Sequence, residues 1–154
     1  MTRYEELLDE SEAAGLTVKE CPLQHSDGIT VGRKIGIRSG QTSAEKACTL
    51  AEEMAHAEYT VGNILDQSCI SNQKQEMLAR VKAYDRLIGI PGLIAAHQHG
   101  CRNQYDAAEY LEVTEEFLKE AIECYRKKYG IGVRKGKYLV MFEPALAVIE
   151  FFQQ

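Results

Sequence analysis

Ala44-Glu45-Lys46-Ala47-Cys48-Thr49-Leu50-Ala51-Glu52-Glu53-Met54-Ala55-His56-Ala57-Glu58-Tyr59 is the stretch on which the reading of this chain turns. Ala47, Leu50, Ala51 and Met54 recur at i, i+3, i+4 and i+7, one apolar stripe of an amphipathic helix over Ala44–Tyr59. Thr42 or Ser43 can cap it, and Ser43 followed three residues later by Lys46 lacks the full capping box. On the face opposite the stripe, Glu52 and His56 stand one turn apart and about 40° from each other around the axis. Glu53 is their neighbour on the cylinder. An i, i+4 pair with a carboxylate beside its first member is the spacing a zinc-hydrolase helix uses, although its usual form is H-E-x-x-H and Glu52 stands here for the first histidine. On spacing alone, a solvated helix face is the stronger reading of the trio.

Toward the N-terminus, Tyr4, Leu7, Leu8 and Ala14 predict a helix over Thr2–Ala14 that stops at Gly15. From Leu16 to Gly40, β-branched residues alternate with turn formers. A turn at Ser26-Asp27-Gly28, a strand at Ile29–Val31, a turn at Gly32–Lys34 and a strand at Ile35–Arg38 predict a small antiparallel sheet, whose glycines could let another backbone approach closely. Toward the C-terminus, Met77, Val81, Tyr84 and Ile88 predict a helix over Asn72–Gly89, with Pro91 beyond it. A shorter helix follows at Gly92–His99. Two more occupy Asn103–Tyr129, separated near Leu111–Thr114, with Thr114 capping the second. Lys137–Phe142 reads as a strand, and Pro144 sets off a last apolar stretch, Ala145–Phe152. With no repeat or linker, 1–154 is read as a single domain: a helix and small sheet over 1–41, the charged-trio helix and its successor over 42–90, and a helical bundle with a C-terminal strand over 91–154.

The 154 residues carry 18 Lys and Arg against 23 Asp and Glu, a formal net charge of −5. That balance argues against nucleic acid or an anionic membrane as the main partner, because both attract clustered cations. A chain of this length can bury a core without disulfide or metal staples. No stretch approaches a membrane span of about 20 apolar residues, and the charged Met1–Gly15 does not resemble a signal peptide; a cytoplasmic location is expected. Cys21, Cys48, Cys69, Cys101 and Cys124 are too widely spaced for a zinc ribbon or redox pair, and are read as packing thiols. His97 and His99 suit a helix C-terminus better than a metal. The helix after Thr114 presents Glu115, Glu116, Glu120 and Glu123, which repel phosphate, so a DNA-binding regulator is the weakest alternative.

A third ligand beside Glu52 and His56 must come from elsewhere, and Glu76, near the start of the following helix, is the best candidate. Two antiparallel helices joined by a loop of about ten residues could bring it opposite His56. The run Lys46–His56, with Val61–Gln67, Ser71–Glu76, Ala79-Arg80, Gly100–Asn103, Ala108–Leu111 and Val113–Leu118, resembles the prophage branch of the ImmA/IrrE metallopeptidase family over roughly Thr42–Gly130. The resemblance implies a mostly helical, gluzincin-like α+β domain. By position, His56 matches the second motif histidine, Glu53 the general base, Glu76 the third ligand and Glu52 the absent first histidine. It also implies Zn2+ as cofactor and a helix-turn-helix repressor as substrate. One imidazole and two carboxylates give a zinc site of formal charge zero, which acidifies water less than a two-histidine site and could favour a harder ion such as Mn2+. The expected chemistry is metal-assisted peptide hydrolysis with Glu53 as base, the substrate backbone adding to an edge strand near Ile35–Arg38. The alternative is a pseudopeptidase that regulates the same repressor by binding alone.

Overall fold

The computed structural model describes residues 1–62 and 72–152. Cys69 and the part of the family-like run at Asn63–Gln67 and Ser71 lie outside the described residues. The fold is α+β, with helices α1 (Arg3–Ala13), α2 (Ser43–Gly62), α3 (Asn72–Leu87), α4 (Gly89–His99), α5 (Gln104–Leu111) and α6 (Glu115–Tyr129). Strands β1 (Thr17–Cys21), β2 (Gly28–Val31) and β3 (Lys34–Arg38) form one sheet, and β4 (Gly132–Lys135), β5 (Tyr138–Met141) and β6 (Ala147–Glu150) a second. The chain divides into two compact units, Met1–Ala83 and Tyr84–Gln154.

In the first unit, Thr2 caps α1 through a capping box: its hydroxyl accepts from the Glu5 N–H, and the Glu5 carboxylate accepts from the Thr2 N–H. α2 begins with the same device. Thr42 accepts from the Glu45 N–H and Glu45 accepts from the Thr42 N–H, each at 3.2 Å, so the box omitted by a Ser43 start is complete one residue earlier. Ala47, Leu50, Ala51 and Met54 are all buried, and α2 lies on β2 and β3 with Ile35 and Ile37 in the core. Burial of a Leu or Ile side chain is worth about 1.5–3 kcal/mol, so this seam holds helix and sheet together.

The strand order is β1-β3-β2. β2 and β3 pair antiparallel as expected, but β1, which the turn-rich sequence hid, pairs parallel to β3. This places Ile35–Arg38 in the centre of the sheet with both edges taken, so it cannot receive another backbone. The edges of this sheet belong to β1 and β2.

In the second unit, α4 starts at Gly89, earlier than the sequence suggests. Pro91 falls in its first turn, where a missing N–H costs nothing. The backbone bends there because Gly89 adopts φ +60, and its N–H donates to the Tyr125 hydroxyl (3.2 Å), which in turn donates to Asp85 (2.9 Å). Burial pushes the Tyr125 hydroxyl pKa well above its ordinary value, reinforced by its bond to Asp85. Thr114 caps α6 by accepting from the Phe117 N–H, as the sequence indicates. β4, β5 and β6 form an antiparallel meander in which Tyr138 and Val140 point inward. β4 was hidden by its Gly, Arg and Lys residues.

Of the apolar face expected for α3, Tyr84 and Ile88 are buried and Val81 is half-buried, but Met77 is exposed, and Ala79, Ala83 and Leu87 are buried as well. Small alanines mark close packing more reliably here than the larger methionine.

Candidate active site

α2 supplies three of the four expected site residues, and its apolar stripe fixes which way they face. With the stripe buried against β2 and β3, Glu52, Glu53 and His56 lie along its border and are half-buried. The fourth, Glu76, stands on the first turns of α3 and is exposed.

The structure brings His56 and Glu76 together. His56 Nε2 and Glu76 Oε1 are 3.3 Å apart, and the His56 side chain keeps only 23% of its exposure. Lys82 of α3 reaches Glu58 of α2 at the same distance. Two donors held about 2.0–2.1 Å from a tetrahedral ion stand about 3.3 Å apart, so the pair has the spacing such an ion requires. An imidazole with carboxylates is also a donor set that zinc and harder divalent ions accept. Among the described residues, no three His, Cys, Asp or Glu side chains are gathered into a cluster able to hold an ion.

Glu53 has a different environment. Thr30 of β2 places its hydroxyl in hydrogen-bond contact with Glu53 Oε2, and 3.1 Å from the Glu53 backbone carbonyl. A hydroxyl has one hydrogen and serves one acceptor at a time. It donates to a Glu53 carboxylate; if Glu53 holds a proton, the carboxyl can donate to Thr30 while the hydroxyl turns to the carbonyl. Burial raises the Glu53 pKa above the ordinary carboxylate value; the Thr30 bond and nearby His56 pull it down, and Glu76 pushes it up. A carboxyl so shifted is a better proton acceptor near neutral pH than a solvated one.

Thr30 and Gly28 carry no metal-site signal in the sequence, and they were missed. The available hint was a glycine at the edge of a strand, a mark of close approach. What approaches Gly28 is the Glu53 side chain of α2 rather than a second backbone. Cys48 is buried, as a packing thiol would be, whereas Cys21, Cys101 and Cys124 are half-buried; among the described residues these four form no disulfide. No family model and no curated protein matches this chain.

Proposed function

We propose that the chain is a metallopeptidase-like protein of the ImmA/IrrE type that acts on a helix-turn-helix repressor, using a divalent ion, zinc first among candidates. The observation that carries this reading is the approach of Glu76 to His56 at 3.3 Å, beside a half-buried carboxylate one turn back on α2.

His56 and Glu76 would hold the ion, with Glu52 as the third ligand on the same side of α2 as His56. When bound, such an ion polarises a peptide carbonyl and acidifies water. Glu53 accepts the proton released during attack and delivers it to the departing amine, so neither a covalent intermediate nor a second acid is required. An extended substrate is held by the edge of β2. This strand replaces the Ile35–Arg38 region as the docking edge, since β3 is paired on both sides whereas β2, among the described strands, pairs with β3 alone and lies against Glu53.

The test is zinc chloride added to purified chain, read as a rise in thermal midpoint, together with cleavage of a purified helix-turn-helix repressor. Ligand binding raises the midpoint by mass action. Wild type should show both effects and His56→Ala neither. Repressor binding without a zinc-induced rise or cleavage would establish the pseudopeptidase instead, and salt-sensitive duplex binding would favour a DNA-binding regulator.

A further inference from the structure

We infer that one face of β2 is a built seat for the Glu53 side chain, in which Thr30 is a positioning residue and Gly28 supplies the space. As a statement about catalysis, this rests on the peptidase reading above.

Residues 28 and 30 share a face because strand side chains alternate. At position 30 a hydroxyl grips Glu53 Oε2. At position 28 there is no side chain, and an added Cβ would lie 2.7 Å from Thr49 Cγ2, 2.8 Å from Glu53 Cγ and 3.2 Å from Glu53 Cδ. The first two distances are closer than non-bonded carbons tolerate, so any larger residue there must displace Glu53 or Thr49. One residue of the strand therefore excludes alternatives to the seat and the other holds the carboxylate in it. A free Glu side chain must give up substantial rotamer entropy to stay in one place, and a fixed donor on a paired strand reduces that loss before substrate arrives.

The seat also joins two tasks in one element. β2 forms ladder bonds with β3 from Gly28↔Ile37 to Val31↔Lys34, and no strand among those described pairs with its other side. A peptide added to that side would be placed by the same four residues that place the base, which fixes the distance between scissile bond and carboxylate through a rigid strand rather than a loop.

The decisive variants are Thr30→Val, which keeps shape but removes the donor, and Thr30→Ser, which restores it. With the full-length repressor as substrate, Thr30→Val should lower kcat about 10- to 100-fold with KM within twofold of wild type, and Thr30→Ser should return most of the loss. Gly28→Ala should lower kcat similarly. All three should keep the zinc-induced rise in midpoint. A kcat unchanged in Thr30→Val, or a serine variant as poor as the valine, overturns the inference while leaving the peptidase reading intact. If wild type itself cleaves nothing, the peptidase reading fails, and a double-mutant cycle of Thr30→Val with Glu53→Ala in urea unfolding then judges the seat. Non-additive effects support it, and additive effects overturn it.

Discussion

α2 and α6 are built by the same local rules and end with opposite chemistry. Each is an amphipathic helix capped by a threonine, Thr42 or Thr114, and each carries several glutamates. On α6, Glu123 is exposed beside Arg126, whose hydrogen bond holds its carboxyl below the usual range. On α2, a strand covers Glu53, and burial moves its carboxyl the other way. A glutamate's value as a base is thus set by what lies over it, not by its helix or its spacing.

The largest expected effect breaks the symmetry directly. Glu53→Gln should lower repressor cleavage by about 10²- to 10⁴-fold while keeping the zinc-induced rise in midpoint, and Glu123→Gln should leave cleavage at wild-type rate. Cleavage surviving the first substitution would show that the covered glutamate is not the base. Next, Leu50→Ala beneath the trio and Leu118→Ala in α6 each remove a fully buried side chain, and each should cost about 2–5 kcal/mol in urea unfolding. Zinc should recover part of the loss in Leu50→Ala, because Leu50 lies in the same compact unit as Glu52, His56 and Glu76 and binding stabilises that unit by mass action.

Smaller is Tyr125→Phe, which leaves Gly89 and Asp85 without the hydroxyl between them. It should cost about 1–3 kcal/mol with cleavage unchanged. Smallest are Thr42→Ala and Thr114→Ala, each expected to cost about 1 kcal/mol by thermal unfolding. Equal losses would confirm that the two helices differ in their cover and not in how they start; a much larger loss at Thr42 would mean that its cap also supports the site.

Much of this molecule was legible because it is encoded over short stretches. The stripe Ala47–Met54 places α2, and Thr2, Thr42 and Thr114 mark helix starts by bonds to residues three positions away. The elements that escaped were those whose identity depends on distant partners. β1 becomes a strand by pairing with β3, and β4 by pairing with β5. Met77 matched the helical period yet stays exposed, because period gives a face without saying what meets it. No helix among the described residues is long and apolar enough to cross a membrane, in line with the absence of any such apolar run in the sequence.

For the site, the sequence determined the candidates: Glu52, Glu53 and His56 share one side of a helix because 3.6 residues make a turn, and Glu76 follows near the start of the next helix. Only the tertiary structure decided that Glu76 meets His56, that Ile35–Arg38 is interior, and that Thr30 grips Glu53 from 23 residues away. Helical periodicity and caps act within a few residues and can be read in order, whereas a hydroxyl finds its carboxylate only after β2 is paired and α2 is packed on it.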